Sequence, residues 1–154
     1  MTKRVTVVSA GLRNPSSTKL LADQLAGAVV EQAGGVGVRH VEVREHAHAI
    51  VDALMTSFPS GELKAALDDV VEADALIVVT PTFQASYAGL FKSFMDLVEA
   101  GSRRGTPVLL AATGGSERHS LIIESALRPL FAYLGAVTVP TGVFAATSDL
   151  GGEY

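Results

Sequence analysis

Hydroxyl groups and one guanidinium lie close together near the start of the chain, between Ser9 and Thr18. Ser16 and Ser17 stand beside Arg13, and the stretch leads into a segment whose apolar residues have helical spacing. Amides at a helix N-terminus, the positive end of the helix dipole and a guanidinium together favour a phosphate group. Ordinary N-capping with a surface arginine explains this stretch equally well when it is considered alone.

Two further stretches offer groups suited to a flat heteroaromatic ring with a polar edge. Residues 81–87 follow an apolar run at 76–79 and supply hydroxyls, an amide and two rings. The candidates in this stretch are Pro81, Thr82, Phe83, Gln84, Ala85, Ser86 and Tyr87. In the third stretch, Thr113 precedes Gly114 and Gly115, where the backbone can approach a ligand closely. Taken separately, an aromatic loop over a sheet end and a plain β–α turn are the alternatives.

Alternating strands and helices would position these three stretches. Runs of aliphatic and β-branched residues predict strands at residues 5–9, 36–43, 76–79, 108–112 and 136–139. Apolar residues at helical spacing predict helices at residues 19–32, 61–73, 89–98 and 119–134. Pro129 should kink or break the last helix. Residues 44–60 are expected to hold at most a short helical turn, and residues 140–154 no further element.

This alternation predicts an α/β fold in one domain spanning residues 1–154, with a parallel five-stranded sheet between two helical layers. In the flavodoxin-like strand order 2-1-3-4-5, the loops after strands one, three and four meet at the carboxyl edge of the sheet. Ligands of open α/β sheets bind at that edge, where the strand order reverses. The three stretches together therefore favour a phosphorylated flat ring as the ligand.

Composition and motifs exclude several other classes. The net charge of −4 comes without a basic stripe, which argues against a nucleic-acid partner, and no apolar run approaches the roughly 20 residues of a membrane helix. The absence of cysteine excludes disulfides and thiolate metal sites, and it is consistent with a cytoplasmic protein. Neither a Walker A loop nor G-x-G-x-x-G is present. His46 and His48 are better explained by a solvated loop than by a metal site, so no metal is expected.

The three motifs resemble those of the NAD(P)H-dependent FMN reductases, in particular the reductase components of two-component alkanesulfonate monooxygenase systems. The resemblance covers nearly the whole chain, in the right order. It is most specific in the pattern P-x-x-x-A-S-[YF]-x-G-x-x-K, which begins at Pro81 and ends at Lys92, and in A-T-G-G-S at residues 112–116. The first loop matches less well, because Gly11 stands where the family usually has a serine.

The resemblance implies a flavodoxin-like three-layer sandwich that binds FMN and passes hydride to it from NADH or NADPH. It places the FMN phosphate at Arg13, Ser16, Ser17 and Thr18, with Ser9 as a further hydroxyl. It places the isoalloxazine against residues 81–87 and next to Thr113, Gly114 and Gly115. No catalytic acid–base residue is expected, because hydride transfer is the chemistry of the two cofactors.

Three functional questions stay open at this point. The same fold would serve a flavodoxin-type electron carrier without a nicotinamide substrate, or a quinone or azo-dye reductase. The reductase interpretation includes a supply of reduced flavin to a partner flavin-dependent monooxygenase. The third question is whether FMN leaves or stays bound. Some sulfonate-system members carry an aromatic residue in the fourth helix that favours flavin as a departing substrate, and that place falls at Ser125 here.

Two of the predicted helices also suggest self-association. The helix at 89–98 is apolar on more than one stripe, with Leu90 and Phe94 placed towards the sheet and Phe91, Met95 and Val98 around the side. The helix at 119–134 is apolar almost all round. Because helices of this kind are usually buried on two sides, we expect a homodimer or homotetramer packed through them.

Overall fold

The computed structural model describes residues 2–151, and within them the chain alternates between strands and helices. The strands are β1 Arg4–Ser9, β2 Gly37–Glu42, β3 Ala75–Phe83, β4 Ser86–Tyr87, β5 Pro107–Gly114, β6 Val137–Thr138 and β7 Val143–Ala146. The α-helices are α1 Ser17–Ala33, α2 Ala47–Thr56, α3 Gly61–Val71, α4 Gly89–Met95 and α5 Arg128–Tyr133. Short 3₁₀ turns lie at Val43–His46, Glu117–His119 and Thr147–Leu150, and a π-helical segment lies at Ile123–Leu127.

The sheet has the order β2-β1-β3-β5, with β6 and β7 both beside β5 and all of these strands parallel. Strand β4 turns back antiparallel onto the end of β3. The order confirms the predicted flavodoxin-like arrangement, with the fifth strand divided into two pieces. It also sets the ends of β1 and β3 side by side, where Ser9 pairs with Val79.

Two apolar cores lie on opposite faces of the sheet, as the predicted three layers require. Val7 and Ile77 point to the face covered by α1, whereas Val8 and Val78 point to the face covered by the other helices. The central strands alternate between two buried faces, which is why they appear in the sequence as continuous apolar runs. Phe91 and Phe131 are fully buried in the second core.

Strand β3 is longer than predicted, because Pro81 does not end it. The Val79 carbonyl accepts a hydrogen bond from the Ala10 amide on the β1 side, so the nitrogen of Pro81, two residues on, faces the same side. Strand β1 has already ended there at Ser9, and the missing N–H of proline therefore costs no ladder hydrogen bond. On its other side, Pro81 stays in register with Thr113 of β5.

Three other predictions of secondary structure need correction. Residues 44–60 contain the ten-residue helix α2, anchored by buried Ile50 and Ala53, rather than a short turn. Residues 140–151 contain β7 and a 3₁₀ turn where no element was expected; the predicted absence over 152–154 lies outside the described residues. The predicted helix 119–134 is a succession of 3₁₀, π and α segments, and Pro129 lies in the first turn of α5, which confirms the expected break.

Candidate functional site

A cleft opens at the carboxyl ends of β1, β3 and β5, and we refer to it as the main cleft. Its cavity volume is about 210 Å³, and it opens widely to solvent. Its lining residues are Gly11, Leu12, Arg13, Pro15, Ser16, Ser17, Thr18, Pro81, Thr82, Phe83, Thr113, Gly114, Gly115 and Thr147. The three stretches singled out in the sequence thus converge on one cleft.

The first wall is the β1–α1 loop, residues 10–16, with the N-terminus of α1. Ser16 has an extended backbone conformation, and its Oγ accepts a hydrogen bond from the Lys19 amide at 3.1 Å. This N-cap satisfies one of the amides that a helix leaves free, while the amides of Ser17 and Thr18 have no partner within the helix. Helix α1 is 17 residues long, so its N-terminus also brings the positive end of a full helix dipole to the cleft.

Gly11 allows this loop to close on itself. A Cβ atom at position 11 would lie 2.0 Å from the Oγ of Ser16 and 3.1 Å from the Cβ atoms of Ser16 and Thr18. The side chain of Ser16 occupies the space that any side chain at position 11 would need.

The second wall is the hairpin of β3 and β4. Gln84 and Ala85 form its two-residue turn with φ values of 49° and 65°, the left-handed conformation that tight hairpins need. Thr80 Oγ1 accepts a hydrogen bond from the Ala88 amide at 3.0 Å and so fixes the start of α4 behind the hairpin. Phe83 stays 44% exposed at the mouth of the cleft, which leaves its ring available to a ligand.

The third wall is the end of β5, where Thr113 contacts both of the other walls. Its buried Oγ1 lies 2.9 Å from Thr18 Oγ1, and its carbonyl oxygen accepts a hydrogen bond from Thr82 Oγ1 at 2.9 Å. Gly114 follows where a Cβ would come within 2.8 Å of the Phe144 ring. These contacts hold the walls at a fixed separation before any ligand arrives.

The structure brings most of the predicted site residues to the main cleft, and it places the others around it. Ser9 is buried at the end of β1 and borders a neighbouring cleft. Gln84 and Ala85 are exposed at the hairpin turn, and Ser86 lies on β4 beside Tyr87. The Tyr87 ring packs edge-on against Phe91 at a centroid distance of 5.9 Å, so it supports the hairpin from the core side.

Sequence reasoning did not single out Leu12, Pro15 and Thr147 as site residues. Leu12 is 45% exposed and gives the cleft a second apolar side chain besides Phe83. Thr147 follows β7, and its Oγ1 donates to the Gly114 carbonyl at 3.4 Å. The position of Leu12 inside the first motif was a usable signal, whereas Thr147 depended on a strand that the sequence did not indicate.

Neither a metal cluster nor a membrane span is found in the part of the chain that the structure describes. Within residues 2–151, no three His, Asp or Glu side chains come close enough together to hold a metal ion. Over the same residues, every helix is too short or too polar to cross a bilayer.

Comparison with known proteins assigns the family. The family model described as NADPH-dependent FMN reductase matches residues 3–151. The NADH-dependent FMN reductase SfnF of Pseudomonas putida is 44% identical over 93% of this chain and 77% of that protein. An FMN reductase (NADPH) of Pseudomonas aeruginosa is 40% identical over 95% of this chain and 78% of its own length.

Solved structures agree. An oxidoreductase from Corynebacterium diphtheriae matches with a TM-score of 0.92 and 42% identity, over 99% of this chain and 86% of that one. The apo form of an NADH:FMN oxidoreductase, EMOB, matches with a TM-score of 0.87 and 32% identity, over 97% and 79%. An archaeal flavodoxin, 17% identical with a TM-score of 0.64, shares the fold alone. The chain therefore belongs to the NADPH-dependent FMN reductase family, which confirms the prediction of an oxidoreductase that uses FMN and a nicotinamide nucleotide.

Proposed function

We propose that the main cleft is the site where FMN binds and receives hydride from NADH or NADPH. The observation that carries this proposal is the position of a capped helix N-terminus and Arg13 in the same cleft as Phe83 and Leu12. The first pair suits a phosphate, and the second pair suits the faces of a flat ring. A ligand that satisfies both at once must combine a phosphate with an aromatic ring, as FMN does.

Each wall has a separate task in this proposal. Arg13, Ser16 and the amides of Ser17 and Thr18 hold the phosphate, with Ser9 beneath the loop. Pro81, Thr82 and Phe83 contact the ring on one side, and Thr113, Gly114 and Gly115 border it on the other. Gln84, Ala85, Ser86 and Tyr87 build the hairpin that presents Phe83. Because the cofactors supply the hydride chemistry, the chain contributes binding and orientation and needs no acid–base residue.

The proposal extends to the fate of the reduced flavin. We assign this protein to the supply of reduced flavin to a flavin-dependent monooxygenase in the cytoplasm, because its motifs resemble the reductases of sulfonate systems. The exposed side chains of Phe83, Gln84 and Ala85 at the mouth of the cleft leave the ring side accessible to acceptors. Its relatives include both NADH- and NADPH-dependent reductases, so the nucleotide preference must come from kinetics.

We also propose that the protein is a homo-oligomer, although a different surface supports it than the sequence suggested. Phe91, Met95 and Val98, which we placed at the interface, are buried within the single chain. Four apolar side chains on α2 and just after it are exposed instead, namely Val51, Leu54, Met55 and Phe58. Met55 and Phe58 are more than 80% exposed; Val51, Leu54 and Met55 share one face of α2, and Phe58 follows the end of the helix at Thr56. Leu121 and Tyr133, in the segment 119–134 that we also placed at the interface, are exposed as well, without the close spacing of the α2 group.

Sedimentation at micromolar concentration tests this surface. The double variant Met55→Lys/Phe58→Ser should shift the protein from oligomer to monomer without unfolding it. Val30→Lys, at an exposed apolar position on α1 and outside both segments, is the control and should leave the oligomer intact. A wild-type monomer at that concentration, or an oligomer that survives the double substitution, contradicts the assignment.

The oxidation of NADH and NADPH in the presence of added FMN tests the proposed activity. We expect the oxidation of at least one of the two nucleotides, dependent on FMN, and an increase of about tenfold in the KM for FMN in Arg13→Ala. A charge-assisted hydrogen bond contributes roughly 1.5–3 kcal/mol, which is sufficient for that change. Arg118→Ala, an exposed arginine outside the cleft, should behave as wild type. The absence of oxidation with either nucleotide would favour an electron carrier of the flavodoxin type.

A further inference from the structure

A second cleft lies on the other side of the β1–α1 loop, between the carboxyl ends of β1 and β2. It is lined by Ser9, Gly11, Arg13, Asn14, Ser16, Lys19, Glu42, Arg44 and Glu45. Gly11, Arg13 and Ser16 border both clefts, so the two spaces meet at the loop to which we assign the FMN phosphate. A group that extends from that phosphate across the loop would enter this second cleft.

The second cleft contains one cationic group, Arg44, that is incompletely paired, and one, Lys19, that is ion-paired. Arg44 Nη1 donates one hydrogen bond, to the Leu12 carbonyl at 3.3 Å, and within residues 2–151 no other bond of its guanidinium is found. A guanidinium has five N–H donors, so most of those on Arg44 are available. Lys19 lies 2.9 Å from Asp23 and 3.8 Å from Glu42, at the rim of the same cleft.

Two carboxylates oppose an anion in this cleft, but they also interact with each other. Hydrogen bonding to Glu45 raises the pKa of Glu42 above its ordinary value, with burial as the second cause. This pair therefore retains a proton more readily than two separate glutamates. With Asp23, which pairs with Lys19 at the rim, three carboxylates stand against three cations, but within the described residues neither Arg13 nor Arg44 has a carboxylate within 4 Å.

We propose that the second cleft accepts the second phosphate of a flavin dinucleotide, with Arg44 as its principal partner. The inference rests on the proposed function, because it takes the flavin ring and the first phosphate to occupy the main cleft. FMN ends at the phosphate beside Arg13, whereas in a dinucleotide a diphosphate continues from that point. Arg44 and Lys19 stand on the far side of the loop, where a second negative charge would be placed.

Two other roles are possible for Arg44, and they predict different results. If Arg44 only holds the loop in place through its bond to the Leu12 carbonyl, its loss weakens FMN and FAD equally. Alternatively, its ligand is the extra phosphate of NADPH, and its loss would then raise the KM for NADPH while leaving NADH and the flavins unchanged. The ratio of FAD to FMN affinity separates the proposal from both.

The experiment is isothermal titration of FMN and FAD into the wild type, Arg44→Gln and Arg39→Gln. Arg39 is an exposed arginine on β2 outside both clefts, so its variant removes the same charge without touching the site. We expect Arg44→Gln to weaken FAD roughly tenfold more than FMN, and Arg39→Gln to leave the ratio within about twofold. Glu45→Gln should change the ratio in the opposite direction, in favour of FAD, by a few-fold.

Equal losses of FMN and FAD in Arg44→Gln, or no loss of either, overturn the proposal. A loss confined to NADPH in parallel KM measurements overturns it as well. These results differ from a failure of the proposed function, in which the wild type binds neither flavin. Because Glu45→Gln predicts a gain of FAD affinity, a general loss of folding cannot imitate the expected pattern.

Discussion

Replacing Gly11 by alanine should cost the protein the N-cap of α1. The added Cβ would lie 2.0 Å from Ser16 Oγ, far inside van der Waals contact, so the Ser16 side chain must rotate away. Its hydrogen bond from the Lys19 amide, 3.1 Å long, is then lost. Removing a serine N-cap typically costs about 1 kcal/mol in the free energy of unfolding, within a range of roughly 0.5–2.

A double-mutant cycle isolates this effect from everything else that alanine does at position 11. Ser16→Ala alone should cost about 1 kcal/mol, and Gly11→Ala alone should include the same loss. In the double variant the cap can be lost only once, so its cost should fall below the sum of the two single costs by about 1 kcal/mol. Gly11→Ala also creates the 3.1 Å contacts with the Cβ atoms of Ser16 and Thr18 and lowers the entropy of the unfolded chain. Both effects are the same with serine or alanine at position 16, so they cancel in the coupling energy.

Denaturant unfolding of the four proteins measures the coupling, provided that the slopes with denaturant agree. Gly27→Ala is the control, because Gly27 lies in the same helix with no atom within 4 Å of its added Cβ. That substitution should stabilise the protein by about 0.5–1 kcal/mol and combine additively with Ser16→Ala. Additivity of Gly11→Ala and Ser16→Ala within about 0.5 kcal/mol would refute the argument that Gly11 makes room for the cap.

Three further predictions concern single side chains. Arg103→Met should lower the free energy of unfolding by about 1–3 kcal/mol, because buried Arg103 donates to the carbonyls of Val71, the last residue of α3, and Ala73. Exposed Arg104→Met is the control, and equal losses contradict this role. Because the pKa of Glu42 is higher in the folded than in the unfolded chain, Glu42 stabilises the fold at pH values below its ordinary pKa of about 4.5. This contribution disappears as the pH rises through the pKa of the folded state. Unfolding at about pH 4 and pH 7 should thus show Glu42→Gln gaining on the wild type at the higher pH, by no more than about 0.5 kcal/mol because the carboxyl group is partly open to solvent; an unchanged difference speaks against the Glu45 interaction. Phe83→Ala should weaken FMN several-fold in titration without changing the unfolding midpoint, and unchanged affinity removes the ring from the site.

The sheet could be predicted because its central strands are buried on both faces and therefore appear as uninterrupted apolar runs. Helix α2 escaped prediction because it is only ten residues long and its start is unmarked, with no side-chain N-cap and no acidic residue in its first turn. The continuation of β3 through Pro81 depends on where β1 ends, and the sequence around Pro81 contains no record of that.

The candidate site was predictable to the extent that its chemistry is local. A helix N-terminus with serines and an arginine, and a glycine pair after a strand, can be recognised one segment at a time. The bonds that join the walls, from Thr113 to Thr18 and Thr82, span distant parts of the chain. Likewise, nothing in a Gln-Ala dipeptide indicates left-handed backbone, so the hairpin that turns Tyr87 towards Phe91 was not visible in the sequence.

The comparison of FMN with riboflavin by isothermal titration tests the central claim most directly, since the two ligands share the ring and differ only in the phosphate. If Arg13 and the N-terminus of α1 bind that phosphate, FMN should bind at least about tenfold more tightly, which corresponds to ~1.4 kcal/mol. Arg13→Ala should reduce the difference by weakening FMN while barely changing riboflavin. Equal affinities of the wild type for the two ligands would contradict the account, because the β1–α1 loop would then cap a helix and bind no phosphate.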